Sequence, residues 1–170
     1  MRPTENTYPI YYENYISLVK QNNIKDALID NEKESLAFFN SLSSDCGDFA
    51  YEKGKWTIKE VLNHLIDTER VFSYRALRFA RNDGQLLPSY EQDHFVANSE
   101  SNKRTLKDLI EEFISVRKAT ISLFCGLSED ALKRIGLTGA GKTTVIAIGF
   151  TICGHAIHHI NVINARYLKK

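Results

Sequence analysis

The sequence predicts an all-α protein built on four long helices, and three observations lead there. Glycine and proline divide the 170 residues into four long stretches permissive for helix. Within these stretches apolar residues recur at three- and four-residue steps. No stretch alternates apolar and polar side chains at period two strongly enough to read as a strand.

Proline stands only at positions 3, 9 and 88. The first stretch, 10–46, has two parts. Ile16 and Val19 suit a short initial piece, Gln21-Asn22-Asn23 weakens the helix, and Leu28, Leu36, Phe39 and Leu42 suit a longer second piece. In the second stretch, 55–83, Ile58, Leu62, Leu65, Phe72 and Ala76 share one side. Its start is the sharpest in the chain. Thr57 followed by Glu60 spells a capping box, with Trp56 and Val61 placed as a hydrophobic staple. Residues 84–103 form a long polar connection carrying Tyr90, His94 and Phe95, of the kind that crosses a bundle end or covers a site. In the third stretch Leu106, Leu109, Ile110, Phe113, Val116, Thr120, Ile121 and Phe124 line up, and Gly126 reads as the stop. The fourth, 142–170, is interrupted only by Gly149 and Gly154.

Composition narrows the function classes. Lys and Arg number 22 against 21 Asp and Glu, a net charge of +1, so no broad basic field points to nucleic acid. The length suits one domain over 1–170 with a core of its own. The first residues show no signal-peptide pattern, and the apolar run 145–153 is short for a membrane span. Cys46, Cys125 and Cys153 are odd in number and widely spaced, which fits reduced thiols rather than a disulfide framework or a thiolate zinc site. The expectation is a cytoplasmic protein without nucleic-acid or membrane partners.

Chemistry concentrates in the histidines. Only five occur, at 64, 94, 155, 158 and 159. Residues four apart on a helix differ by about 40° in direction and lie one turn apart. His155 and His159 therefore face the same way and can grip one ion, whereas His158 is about 100° away from His159. A third ligand must come from another helix. His64 shares a face with Val61, Thr68 and Val71 and is the candidate. Three neutral imidazoles leave a divalent ion its full charge and open positions, and such a centre lowers the pKa of bound water or of a thiol. Glu60, Thr68 and Arg75 lie along the same helix as His64, each readable as a supporting or substrate-binding group or as a cap or surface residue. His94, on the connection, reads as an exposed loop histidine or one that swings over the site.

Two motif matches fail on context. The HExxH zincin motif needs Glu where this chain has Ala156, so the general base of that protease mechanism is absent. The string 136–143, Gly-Leu-Thr-Gly-Ala-Gly-Lys-Thr, satisfies the written P-loop pattern. A phosphate loop also needs a buried strand before it, and the residues upstream, 128–134, are charged and helical in character. The string is expected to be a flexible glycine turn into the last helix, capped by Thr143 or Thr144, and not a nucleotide site.

The segment Trp56-Thr57-Ile58-Lys59-Glu60-Val61-Leu62-Asn63-His64-Leu65-Ile66-Asp67-Thr68-Glu69-Arg70 resembles the signature helix of the DinB-like (YfiT-like) superfamily. So do residues 87–96, the stretch Val116-Arg117-Lys118-Ala119-Thr120, and Gly154-His155-Ala156-Ile157-His158-His159, in matching order across 8–167. The resemblance implies an up-down-down-up four-helix bundle, usually a homodimer. It implies a divalent metal, zinc or nickel, on three histidines, which by motif position are His64, His155 and His159. Many family sequences carry Glu after the first histidine of the last motif, where this chain has Ala156. Relatives include S-transferases that use a low-molecular-weight thiol such as bacillithiol or mycothiol, a thiol-dependent maleylpyruvate isomerase, and metal-dependent hydrolases. The expected function is thiol transfer to an electrophilic small molecule. The alternatives are hydrolysis at the same centre and a non-catalytic dimeric bundle that binds a ligand.

Overall fold

The computed structural model describes residues 1–168. Four long helices make its frame: α2 (Ile24–Asn40), α3 (Ile58–Ala80), α5 (Leu106–Cys125) and α7 (Val145–Val162), with the shorter α1 (Glu13–Ile16) before them and α4 (Gln92–Ala97) and α6 (Glu129–Lys133) between them. Each long helix opens on a side chain that takes an orphan amide of the first turn. Asn23 accepts from Lys25 N at the head of α2, and Thr144 accepts from Ala147 N at the head of α7. Thr57/Glu60 and Thr105/Asp108 form capping boxes on α3 and α5. The expected stop at Gly126 holds, but at φ −82° it ends α5 without the left-handed backbone usual for such a cap.

Helices α2 and α3 each pack on both α5 and α7. The core has two apolar clusters at different levels. One joins Leu28 of α2, Phe79 of α3, Phe124 of α5 and Val145–Cys153 of α7. The other joins Phe39 of α2, Ile58–Ile66 of α3, Leu109 and Phe113 of α5, and Ala156 and Ile163 near the end of α7. Between them every long helix contributes buried polar groups: Asn31 and Ser35, His64, Thr68 and Glu69, Arg117 and Thr120, and His155. A polar layer thus crosses the middle of the bundle.

At its centre Arg117 is wholly buried, with its Nε and Nη2 on the two oxygens of Glu69 at 2.8 and 2.9 Å. Its Nη1 donates to Asn31 Oδ1, and Asn31 Nδ2 donates to the Cys153 carbonyl at 3.3 Å. One network therefore touches all four long helices. Burial opposes the Arg117 charge, and the attraction of Glu69 outweighs it, so the guanidinium holds its proton more firmly than usual.

The wholly helical reading needs one correction. Residues 136–143 belong to a β-hairpin, β1 (Ile135–Thr138) paired antiparallel with β2 (Gly141–Thr144), in which Gly136 faces Thr143 and Thr138 faces Gly141. Leu87 joins its edge through a hydrogen bond from its amide to the Leu137 carbonyl, 3.0 Å. The alternation is inverted. Gly136 and Thr138 face inward while Ile135 and Leu137 are exposed, so a search for inward apolar residues misses it. Gly136 is required, because a Cβ there would lie 1.9 Å from the Phe79 ring. The glycine string is an ordered hairpin rather than a flexible turn, and Thr144, of the two candidate caps, opens α7.

The span from Val145 to Tyr167 is also longer and more apolar than the run 145–153 suggested. By length and composition it suffices to cross a membrane, but 67% of its most apolar 18-residue window is buried inside the bundle, which accounts for its apolarity. Inside α7, Gly154 lets the short α1 come down onto the helix: a Cβ at this position would stand 2.0 Å from the Tyr15 carbonyl oxygen.

Two stability outcomes follow. Arg117→Ala leaves the Glu69 carboxylate buried and unpaired and lowers unfolding free energy by about 3–5 kcal/mol, whereas Glu69→Leu with Arg117→Met loses far less than the sum of the single changes, as read by urea denaturation. Gly154→Ala destabilises by about 1–3 kcal/mol, because α1 must move, despite the gain in helix propensity of about 1 kcal/mol.

Candidate metal centre

The three histidines meet where the polar layer reaches the side of the bundle. The capping box fixes the start of α3 and so the face on which His64 projects inward, 3% exposed. On α7, His155 and His159 stand one turn apart. The Nε2 atom of His155 is 3.1 Å from that of His64 and 3.1 Å from that of His159. One ligand atom from each ring lies within 4.8 Å of the other two.

This arrangement fits a divalent cation. A ring nitrogen holds either a proton or a lone pair, so the proton of one His155 tautomer satisfies at most one of its two short contacts. The second is left unsatisfied unless a positive ion lies among the three nitrogens. Two nitrogens bound at about 2.0–2.1 Å to one ion stand roughly 3.0–3.4 Å apart, which matches the spacing found. Burial is the main cause that drives the His64 imidazole down to about 4 and His159 to about 3, with neighbouring imidazoles adding to the effect at His159. It drives His155 far down as well, helped by His159, His64 and His158. All three are neutral at pH 7, the form a metal requires.

The surroundings hold these rings in place. Thr68 Oγ1 lies 3.4 Å from His64 Nδ1 and 2.6 Å from the Tyr90 hydroxyl. A His64 proton on Nδ1 that is donated to Thr68 Oγ1 leaves the Nε2 lone pair facing His155. The Trp56 ring packs on His64 with centroids 4.9 Å apart, and Tyr167 Oη donates to the Trp56 carbonyl at 2.8 Å. Tyr15 meets both His155 and His158 edge-on, at 5.4 and 5.5 Å. His158 is half-buried against Tyr15 and His159 and stays outside the converging set.

A cleft of about 330 Å³ opens beside the triad. Tyr11, Tyr12 and Tyr15, Phe72 and Arg75 of α3, and Ser89, Tyr90, Glu91 and Gln92 line it with His64, Thr68, Thr151 and His155. The connection after α3 covers the site, as its length suggested. Arg75 is 7% exposed and belongs to this cleft. Glu60 does not: its carboxylate closes the capping box and accepts from Asn102. His94 is exposed on α4, beside Asn98, and is not among the cleft's lining groups. Cys153, two residues before His155, is fully buried, and burial pushes its thiol up to about 12, so it is no nucleophile. Sequence reasoning missed the aromatic supports. Tyr15 lies in the weak helical stretch before Gln21, and its only signal is the glycine at 154 that admits it.

The DinB superfamily model matches residues 27–163. No protein of curated function matches the chain by sequence. Among solved structures, YfiT from Bacillus subtilis, described as a probable metal-dependent hydrolase with an unusual four-helix bundle topology, is similar with a TM-score of 0.67 at 16% identity, covering 97% of this chain and 90% of its own. A mycothiol-dependent maleylpyruvate isomerase is similar with a TM-score of 0.68 at 10% identity, over 81% of this chain and 58% of the isomerase. At such identities the likeness is one of fold. The family model spans most of the four long helices and includes all three converging histidines, and the chain belongs to the DinB superfamily.

Proposed function

We propose that this chain is a metal-dependent enzyme that holds zinc or nickel on His64, His155 and His159 and transfers a low-molecular-weight thiol, bacillithiol-like in size, to an electrophilic small molecule. The observation that carries the reading is the convergence of three neutral Nε2 atoms, two from the buried His64 and His155 and one from the half-buried His159, with two of the contacts at 3.1 Å, at the edge of a cleft. A divalent ion bound there supplies Lewis acidity, which makes a thiol or water acidic enough to lose its proton near neutral pH.

The chain's own groups prepare that chemistry. Thr68 and Tyr90 fix the His64 tautomer. Burial raises the Tyr90 and Tyr15 phenols above their ordinary value, so both stay protonated and serve as donors to a substrate. Phe72, Tyr12 and Tyr15 line the cleft and limit its water. Carboxylates are scarce: position 156 is Ala, and Glu91 is the one acidic residue lining the cleft, itself exposed. A thiolate nucleophile needs no carboxylate base once formed, whereas hydrolysis of an unactivated bond usually does. Hydrolysis is the second reading, favoured by the description of YfiT as a probable metal-dependent hydrolase.

The same reading takes 1–170 as a single DinB-like domain with its long helices in up-down-down-up order, working as a cytoplasmic homodimer on a small-molecule substrate.

Purified protein is expected to carry about one zinc or nickel per chain by elemental analysis, and His64→Ala or His155→Ala to lose it. Thr68→Val, which frees the outer nitrogen of His64, is expected to weaken metal binding by about 10–100-fold in competition with a chelator. Turnover of chlorodinitrobenzene or monochlorobimane with one member of a thiol panel supports transfer. Ester turnover without thiol supports hydrolysis. Bound metal with neither activity moves the reading to a dimeric ligand-binding bundle.

A further inference from the structure

We propose that the cleft beside the triad is anchored on a carboxylate: Arg75 holds the carboxylate of a small organic acid whose opposite end reaches toward His64 and His155. That opposite end rests on the metal-centre reading, whereas the Arg75 contact does not.

The chain holds two buried arginines with opposite circumstances. Arg117 has Glu69 and Asn31 to take its donors. Arg75 is buried to 7% exposure, and among the described residues no carboxylate lies within ion-pair distance of it. Its Nη2 donates to the Pro88 carbonyl at 2.7 Å, and its guanidinium sits over the Phe72 ring at 5.4 Å. A guanidinium has five N–H donors, so one carbonyl leaves a fork that matches a carboxylate. A buried cation without an anion is costly, and a ligand carboxylate removes that cost.

Position favours this use. Arg75 follows His64 by eleven residues, three turns plus about 20°, so both project on one face with about 16 Å of helix axis between them. Side chains on a helix lean toward its N-terminus, which aims Arg75 back along the cleft toward His64. Aromatic rings, Tyr12, Phe72 and Tyr90, make the walls between the two ends. The class is a monocarboxylate with an apolar or flat body. A phosphate dianion fits less well, because Glu91 at the cleft and Asp93 at the start of α4 add negative charge and no lysine among the described residues lines the site.

Calorimetric titration of the protein as purified tests this, with phenylacetate and benzoate set against their neutral amides and inorganic phosphate as a further titrant. The acids are expected to bind at least about 10-fold more tightly than the amides. Arg75→Gln is expected to erase that difference with metal content unchanged, and Arg75→Lys to keep part of it. The preference is expected to persist after chelator treatment, which separates Arg75 from a bound ion as the anchor. Equal affinity for acid and amide, failure of both acids to bind, a preference that survives Arg75→Gln, or binding of phosphate in their place overturns the proposal. If circular dichroism finds Arg75→Gln unfolded, the wild-type comparison and Arg75→Lys decide. An acid preference without stoichiometric metal refutes the metal centre alone. Metal without the preference refutes the Arg75 anchor alone.

Discussion

The buried ion pair between Arg117 and Glu69 is the constraint on which the rest of the bundle depends. Apolar helix faces are forgiving: two helices can slide by a turn and still bury leucine against isoleucine. A guanidinium without access to water is not forgiving, because its donors are satisfied only when Glu69 of α3 and Asn31 of α2 stand opposite it. The Asn31 amide then reaches the Cys153 carbonyl on α7, so the register of all four long helices is tied to one point. By area, a pair of hydrophobic residues would stabilise the core as well or better. What the ion pair adds is a heavy penalty on every other register.

That register matters because the histidines occupy the same layer. Glu69 follows Thr68, the residue beside His64 Nδ1, and Cys153 precedes His155 by two positions. Anchoring those two backbone points brings nitrogens on α3 and α7 to 3.1 Å, a distance that a slip of one turn, about 5.4 Å, would abolish. The apolar clusters on either side keep water from the rings and hold them neutral, and the cleft leaves one side open. A site that needs several lone pairs directed at one point costs stability when nothing binds there. Here the rigid frame around it supplies the compensation.

Much of this was legible in the sequence, for identifiable reasons. Three of the four long helices follow from where Gly and Pro are absent and α7 from a stretch holding only Gly149 and Gly154, and the head of α3 follows from Thr57 and Glu60, because capping chemistry is local and has its own spacing. The i,i+4 pair of histidines is legible for the same reason. That His64 should join them needs a contact across 91 positions, which its place on the helix face with Val61, Thr68 and Val71, the scarcity of histidine and the family resemblance suggest without fixing. Arg117 was present in the pattern but silent, since an arginine between Val116 and Lys118 reads as a surface charge until its partners are seen. The hairpin escaped because its inward positions are Gly136 and Thr138, and its larger apolar residues face out. Tyr15 and Trp56 are long-range supports whose roles lie in packing, which periodicity does not encode.

Helices and connections divide the labour in this molecule. The converging histidines stand on α3 and α7, each opened by a hydroxyl cap and pinned by the central ion pair, so their geometry tolerates little change. The walls of the cleft come largely from elsewhere: from Tyr11, Tyr12 and Tyr15 at the start of the chain, and from Ser89 to Gln92 in the connection after α3. These segments pack on the frame through side chains: Tyr15 over Gly154 and against His155, Tyr12 against Phe72, the Pro88 carbonyl on Arg75 and Tyr90 on Thr68. Replacing Ser89 or Gln92, which line the cleft and touch neither a histidine nor Thr68, alters the shape of the cleft without moving the three nitrogens. In such a molecule the reactive centre belongs to the frame and the choice of substrate to its connections. Arg75 is the exception, a specificity element rooted in the rigid helix α3. Its position relative to the histidines is therefore as fixed as theirs, and the distance between the two ends of the cleft becomes a ruler for the length of the molecule that fits.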